Sequence, residues 1–240
     1  KGFHEVNKVT KNIIANYLGK LWGFVSIFIF VRFYIDLLGI ESYAIINFYA
    51  VILGLLVFAD GGLTATLTRE LARDISIFEK SNLVYTLERI YIGICIAIII
   101  VILFSADIIS QNFLNSKHYP PSEIAYYIRL MGVGVAFQLF STLYDGGLQG
   151  LQHQVLTNKI KVIWSVFRSG VVLLPLYLYP RLDIYFWWQI VCNIILILVL
   201  RNKLYNLLLK ERLFFSIQLL KDNYKYALGM MGIAFISAIN

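Results

Sequence analysis

Six stretches of the chain are each long and apolar enough to cross a lipid bilayer as a helix. The hydrocarbon core of a bilayer is roughly 30 Å thick, and a helix needs about 20 residues to cross it. The six stretches span residues 12–38, 43–66, 84–105, 124–144, 160–179 and 184–201. A composition of 59% hydrophobic and 15% charged residues, with a mean hydropathy of +0.73, excludes an ordinary soluble domain. The sequence therefore predicts an all-α polytopic membrane protein.

A seventh apolar stretch begins near Tyr224 and runs to Asn240. The chain starts at Lys1 without an initiator methionine and ends inside this stretch, so we expect it to be part of a longer protein. The first stretch contains Lys20 and is too long for the apolar region of a signal peptide, so we expect it to stay as a helix.

The lysines and arginines outside the spans fall almost entirely on the side that holds the N-terminus. On the other side stand only Lys117 and Arg181, out of 21 basic residues in the chain. The positive-inside rule then predicts a multi-pass protein of the plasma membrane with a cytoplasmic N-terminus. The net charge of +7 therefore reports topology, and no nucleic-acid partner is expected, because no recognition helix or basic strand is evident.

Five cations lie inside the predicted spans, where a charged side chain is costly. They are Lys20, Arg32, Arg89, Arg129 and Arg168. A cation is retained there when it reaches the interface, pairs with an acid or faces a water-filled cavity. Only the last case marks a path for an anion. Arg32 stands four residues before Asp36, and an ion pair between them explains it.

Arg168 is the strongest candidate for a cation that faces a cavity. Lys161, Ser165 and Arg168 recur at helical spacing and form a polar face on an apolar helix. Pro175 removes one helical hydrogen bond further along, which predicts a kink in that helix. The alternative is an ion pair between Arg168 and an acid on a neighbouring helix.

Lys20 is the second candidate, because Asn12 and Asn16 precede it at steps of four residues and extend a polar stripe. By helical rise Lys20 lies about 12 Å inside its span, which is too deep to reach the cytoplasm easily. Arg89 and Arg129 lie nearer to span ends, so each either reaches the interface or contacts a substrate.

An Asp-Gly-Gly-Leu motif occurs twice, at Asp60 and at Asp145, each time at the predicted cytoplasmic end of a span. Paired glycines near a helix end allow close packing or a helix break, and the aspartate can cap the next helix. Repeated broken helices also surround substrate sites in transporters built from repeats. The motif leaves both interpretations open.

Residues 203–221 mix leucine and phenylalanine with charged side chains, which predicts an amphipathic helix at the membrane interface. Such a helix either anchors on anionic headgroups or links two halves of a transporter. The predicted organisation is therefore a six-helix lobe over 1–202, a linker helix over 203–221, and the start of a seventh helix over 222–240.

Two parts of the chain resemble the O-antigen flippase (Wzx-type) group of polysaccharide biosynthesis proteins. The first is LGIESYA at 38–44 with FADGGLTATLTRELAR at 58–73, and the second is YDGGLQGLQHQVL at 144–156. The resemblance implies the fold of the MATE-like multidrug and lipid-linked-oligosaccharide exporter superfamily, in which two six-helix lobes form a V around a cavity. This chain would supply the N-terminal lobe and the start of a seventh helix.

The same resemblance implies a transporter of a polyprenyl-pyrophosphate-linked oligosaccharide, such as an O-antigen repeat unit of lipopolysaccharide, in the bacterial inner membrane. The cavity cations would bind the pyrophosphate, with a few polar residues supporting them. These candidates are Arg168, Lys20, Arg129 and Arg89, supported by Asn16, Ser165, Asp60 and Asp145. No cofactor is implied, and coupling to a proton or sodium gradient is left open. The implied partners are membrane lipids, a polysaccharide polymerase and a chain-length regulator.

Two other functional classes compete with this prediction. A cation-coupled multidrug antiporter of the same superfamily would need buried carboxylates, for which Asp60 and Asp145 are the candidates. An integral-membrane enzyme would need a large outer loop with acids, and the longest outer loop, 105–123, carries few. Serine, histidine and aspartate do not show the spacing of a catalytic triad. The flippase is therefore favoured over an enzyme.

Overall fold

Helices make up the regular structure of the part of the chain that the computed structural model describes. That part comprises residues 17, 21–22, 24–26, 28–54, 56–112, 118–208 and 213–239. Its helices are α1 (28–38), α2 (Ile40–Gly54), α3 (Leu56–Asp60), α4 (Leu63–Ala72), α5 (Ile77–Asn112), α6 (Pro121–Gly150), α7 (Gln154–Val166), α8 (Leu173–Leu178), α9 (Leu182–Tyr205) and α10 (Ile217–Ile239). A π-helical segment, Phe167–Val171, connects α7 to α8.

Five of these helical stretches are long and apolar enough to span a membrane, and they match the second to sixth predicted spans. They are Ile40–Asp60, Ile77–Asn112, Pro121–Gly150, Gln154–Leu178 and Leu182–Tyr205. Of the first predicted span, 12–38, the structure describes residues 17, 21–22, 24–26 and 28–38, and these are helical. The seventh predicted helix corresponds to α10, which begins before the expected Tyr224. The all-α membrane fold predicted from the sequence is therefore confirmed, with several helices longer than their apolar stretches.

The second predicted span, 43–66, is wrong at its end because the helix stops at Asp60. Gly61 and Gly62 have φ angles of +57° and +74°, in the left-handed region that glycine adopts without a steric cost. The chain therefore turns, and α4 starts a new direction. Asp60 Oδ2 accepts a hydrogen bond from the backbone N–H of Thr64 at 3.2 Å, so Asp60 caps α4 as predicted.

The second Asp-Gly-Gly motif has a different conformation, since it lies inside α6. A Cβ on Gly146 would lie 2.5 Å from Thr64 Cγ2, and Thr68 Oγ1 donates a hydrogen bond to the Gly146 carbonyl at 3.0 Å. The first motif thus breaks a helix, while the second lets α4 pack closely against α6. The interpretation as a repeat of two broken helix ends is wrong.

Helix α6 is the centre of the described bundle and packs against α4, α5 and α9. The side chains of Leu139, Leu143 and Leu148 on it are fully buried. In the most apolar stretch of α5 only 6% of the residues are buried, as expected for a helix that faces lipid.

A buried carboxylate ties α5, α6 and α9 together. Glu88 Oε1 accepts hydrogen bonds from Tyr144 OH at 2.7 Å and from Arg201 Nε at 2.8 Å. Glu88 Oε2 accepts a third hydrogen bond from Tyr205 OH at 2.5 Å. These donors offset the cost of burying a charge that is only 8% exposed.

The structure differs from the amphipathic helix predicted over 203–221. Helix α9 continues to Tyr205, residues 206–208 form a turn, residues 213–216 are not helical, and α10 begins at Ile217. The interfacial helix is therefore not found among the described residues of this segment.

Polar side chains of α5 explain the non-helical conformation of residues 213–216. Asn82 Oδ1 accepts the backbone N–H of Phe214 at 3.1 Å, and Thr86 Oγ1 accepts that of Ser216 at 3.2 Å. Because these backbone groups are satisfied by side chains, the segment does not need a helix to bond them. Leu208 is buried against the bundle.

We expect Glu88→Ala to destabilise the protein by about 2–4 kcal/mol, because it leaves two tyrosine hydroxyls and Arg201 without their acceptor. The thermal midpoint of the detergent-purified protein measures this. Glu79→Ala on the same helix is the control, because Glu79 is exposed and caps only the start of α5. Equal losses in the two variants would contradict the role of Glu88.

Gly62→Ala should destabilise the protein more than Gly61→Ala. Both substitutions force a left-handed alanine, at a cost of about 1 kcal/mol. A Cβ at Gly62 also collides with the Ala227 carbonyl of α10, whereas a Cβ at Gly61 meets nothing within 4 Å. Thermal unfolding of both variants tests this, and identical midpoints would show that α10 does not pack on the turn.

Candidate functional site

A polar cavity of about 600 Å³ lies between α6, α7 and α9. Its lining side chains are Trp22, Gln138, Ser141, Thr142, Asp145, Gln149, Asn158, Lys161, Val162, Trp164, Ser165, Leu196 and Leu200. Most of them carry hydrogen-bonding groups, and two are indoles. Ligand pockets usually have volumes of roughly 300–1,000 Å³, so the cavity is of a size to admit a small molecule or part of a larger one.

An ion pair lies in the cavity wall between α6 and α7. Lys161 Nζ lies 2.6 Å from Asp145 Oδ2, and Gln149 Nε2 donates to the same oxygen at 2.6 Å. The pair joins α6 to α7, because burying either charge without its partner would be costly. Asp145 and Lys161 are the two charged side chains among the described lining residues. The net charge of the described lining is therefore zero.

Arg168 is not one of the residues that line this cavity, but it lies on the π-helical segment and contacts Trp164, which does line it. Its Nε donates a hydrogen bond to Gln189 Oε1 of α9, and its guanidinium carbon lies 4.9 Å from the centre of the Trp164 ring. Among the described residues no carboxylate is within ion-pair distance of Arg168. The alternative predicted for Arg168, a pair with a neighbouring acid, is therefore not found in this part of the chain.

The irregular helix that carries Arg168 agrees with the disruption predicted from Pro175. The π-helical segment ends at Val171, whose carbonyl would have accepted a hydrogen bond from a residue other than proline at position 175. Tyr34 OH of α1 donates to the Ser169 carbonyl at 2.7 Å, so a neighbouring helix satisfies a carbonyl of the irregular segment.

Ser165 lines the cavity, in agreement with its predicted position on the polar face of this helix. Its hydroxyl accepts a hydrogen bond from Trp22 Nε1 at 2.6 Å and donates one to the Val162 carbonyl at 2.9 Å. The indole of Trp164 is also fixed, since its Nε1 donates to the Cys192 carbonyl at 3.1 Å.

Two of the embedded arginines are paired with acids. Arg129 Nη2 lies 2.7 Å from Asp107 Oδ2, which links α6 to α5 away from the cavity. Arg32 Nε lies 3.9 Å from Asp36 Oδ2, which confirms the pair predicted from their spacing.

Arg89 is exposed and donates to Tyr85 OH at 3.1 Å on the same helix, and it does not line the cavity. Lys20 and Asn16 lie outside the described residues. A substrate role for Arg89, Arg129 and Lys20 stays a prediction.

Asp60 lies in a separate polar cluster. Its Oδ1 accepts hydrogen bonds from the hydroxyls of Thr64 and Tyr91, and Thr142 Oγ1 lies 3.5 Å from Thr64 Oγ1. Two smaller cavities of about 390 and 290 Å³ border Asp60. The structure thus brings Asp145, Ser165 and Lys161 together beside Arg168 and keeps Asp60 apart from them.

The polar stripe on α6 was missed in the sequence. Gln138, Ser141, Thr142, Asp145 and Gln149 recur at intervals of three or four residues, and all five line the cavity. This spacing is the signal that would have identified a polar face on a span that is otherwise apolar.

Comparisons with known proteins agree with this architecture. A family model described as "Polysaccharide biosynthesis protein" matches residues 6–240. A search of curated protein sequences found no match. The fold is similar to that of a multidrug resistance MATE family transporter of the MOP superfamily in its outward-facing conformation, and to that of MATE in complex with MaL6. Both have a TM-score of 0.73 at 17% identity over 97% of this chain.

A third similar structure is a MOP superfamily transporter from Pyrococcus furiosus, with a TM-score of 0.70 at 16% identity. The chain covers 53% of each of the three matched chains, or about half of their length. At these identities the likeness shows the fold alone. It confirms the predicted fold, one helical lobe of a MATE-like two-lobe transporter.

The ion pair in the cavity wall should show a coupling energy in a double-mutant cycle. We expect Asp145→Asn combined with Lys161→Met to cost about 1 kcal/mol less than the sum of the single variants, because each single variant leaves the other group without its partner. Thermal unfolding measures the cycle. The exposed pair Arg32 and Asp36 is the control, with an expected coupling near zero. Additive effects at Asp145 and Lys161 would contradict the pair.

Proposed function

Because the chain belongs to the polysaccharide biosynthesis protein family, whose model matches residues 6–240, we propose that it forms the N-terminal lobe of a flippase. The flippase moves a polyprenyl-pyrophosphate-linked oligosaccharide, such as an O-antigen repeat unit, across the bacterial inner membrane. The chain is a multi-pass membrane protein with the fold of one lobe of a MOP superfamily transporter. The substrate and its lipid carrier are the parts of this statement that need a test.

The observation that carries the proposal is that Arg168 has no acid partner in the described part of the chain. It lies within a membrane span, contacts the cavity-lining Trp164 and has no acid beside it in the described part of the chain. A cation in that position is costly unless an anion or water compensates it. In the described residues its terminal nitrogens make no hydrogen bond, and a guanidinium presents paired donors to phosphate oxygens. The pyrophosphate of a lipid-linked sugar is such an anion.

The rest of the proposal follows from the substrate. The polyprenyl tail stays in lipid while the pyrophosphate and glycan pass through the lobe, so membrane lipids surround the transporter. A polymerase and a chain-length regulator act on the repeat unit afterwards and are the proposed protein partners. No cofactor is part of the proposal, and coupling to a proton or sodium gradient stays an open prediction. The distribution of the basic residues supports a cytoplasmic N-terminus as part of the proposal.

A cation-coupled multidrug antiporter is the second candidate, and the low exposure of Asp145 favours it. Asp145 has a side chain that is 14% exposed and lies in the cavity wall, as an organic-cation site requires. However, Lys161 neutralises its carboxylate at 2.6 Å. The described cavity therefore offers no net negative charge to a cation, which supports the flippase over the antiporter.

Arg168→Ala in the full-length protein should abolish surface glycan export while the protein level in the membrane stays unchanged. The lost charge removes the group that binds the pyrophosphate. Accumulation of the lipid-linked repeat unit on the inner leaflet measures the defect. Arg32→Ala is the matched control, because this embedded arginine has Asp36 as its partner and should export normally.

Arg168→Lys separates charge from geometry. If binding depends on the bidentate guanidinium, this variant exports as poorly as Arg168→Ala, whereas a requirement for charge alone leaves it partly active. Normal export by Arg168→Ala would remove the main support for the flippase. Drug resistance that depends on Asp145, with normal glycan export, would favour the antiporter.

A further inference from the structure

The cavity next to Arg168 is lined mainly by uncharged polar and aromatic side chains, whereas Arg168 itself is a cation. Amides and hydroxyls of Gln138, Asn158 and Thr142 line it together with the indoles of Trp22 and Trp164. Planar amides and hydroxyls that both donate and accept are suited to ligands with many hydroxyl groups. Indole rings offer a flat apolar surface to the C–H face of a sugar ring.

The charges of the cavity disfavour a second anionic group. Lys161 is held by Asp145 at 2.6 Å, and Gln149 donates to the same carboxylate. An anion in the cavity would have to compete with this carboxylate for Lys161 and would be repelled by it. A neutral polar ligand meets no such cost.

The indoles are fixed by hydrogen bonds through their nitrogens, so their rings are already positioned before a ligand binds. Trp164 Nε1 donates to the Cys192 carbonyl at 3.1 Å, and Trp22 Nε1 donates to Ser165 Oγ at 2.6 Å. Because these side chains lose little freedom on binding, their contacts contribute more to affinity than mobile side chains would.

The spacing along the helix indicates how far Lys161, in the cavity wall, lies from Arg168. Lys161 and Arg168 are separated by seven residues, or about 10 Å at 1.5 Å per residue. Trp164 lies between them, lining the cavity and contacting the guanidinium of Arg168. A ligand with an anionic group at Arg168 can therefore reach the cavity across Trp164.

From this arrangement we propose that the cavity is a binding site for uncharged pyranose rings, namely the sugars next to the pyrophosphate of the substrate. The inference rests on the proposed function and assigns two parts of the substrate to two different groups of side chains. Arg168 binds the pyrophosphate, while the amides, hydroxyls and indoles of the cavity recognise the first sugars of the glycan.

The test compares two probes on the full-length protein in lipid nanodiscs. One probe is the lipid-linked repeat unit from a polymerase-deficient strain of the source organism, and the other is polyprenyl pyrophosphate without a glycan. We expect the wild type to bind the glycan-bearing lipid about tenfold more tightly, because several hydrogen bonds of modest net strength are added. Native mass spectrometry measures both affinities.

Gln138→Leu and Asn158→Leu together should bring the two affinities to within about twofold of each other, with the affinity for the bare lipid unchanged. Gln111→Leu is the matched control, because Gln111 is exposed at the end of α5 and outside the cavity. An unchanged thermal midpoint of the double variant verifies that it is folded. Trp164→Phe, which keeps an aromatic ring, provides a second variant with a partial loss of the preference.

The possible outcomes distinguish this inference from the function on which it rests. If the wild type binds both probes equally, or if the double variant keeps the tenfold preference, the sugar site is overturned while the flippase stands. If the wild type binds neither probe, the proposed function itself fails. A preference that disappears in the double variant and persists in Gln111→Leu supports the site.

Discussion

The cost of a charge inside an apolar bundle governs how the described helices are joined. Glu88 is buried, Asp145 and Asp60 are partly buried, and each is bonded to a group from a different helix. All three clusters involve or contact α6, since Tyr144, Asp145 and Thr142 belong to it. The polar contacts therefore fix the position of the central helix, which apolar packing alone would leave free to slide. Arg168 has no acid beside it in the described part of the chain and is the cation for which we propose an anionic ligand.

Hydropathy predicted the number and order of the described spans, and it failed at their ends. An apolar stretch records which residues avoid water, but a helix ends where its backbone finds another partner or a glycine turns the chain. Asp60 and Gly62 end one helix within an apolar stretch. Asn82 and Thr86 accept backbone N–H groups of the non-helical residues 213–216, and these acceptors stand more than a hundred residues earlier in the sequence. No local pattern contains that information.

The candidate site was predictable where its residues share one helix. Ser165 and Arg168 were identified from their spacing on a single helix, and Arg32 with Asp36 from theirs. The cavity itself was not predictable, because its wall comes from α6, α7 and α9 and depends on how they pack. For the same reason the sequence could not assign Asp107 to Arg129 or Lys161 to Asp145, since each pair joins two helices.

Helix α10 packs closely against the turn at Gly62. The Ala227 carbonyl occupies the space that a side chain would take at Gly62, so α10 and this turn cannot slide past each other. Thr64, at the start of the next helix, contacts Thr142, which lines the polar cavity. Two contacts therefore separate α10 from the cavity wall, and both involve the segment 62–64. The geometry of this turn is thus shared by the packing of α10 and by the wall of the cavity.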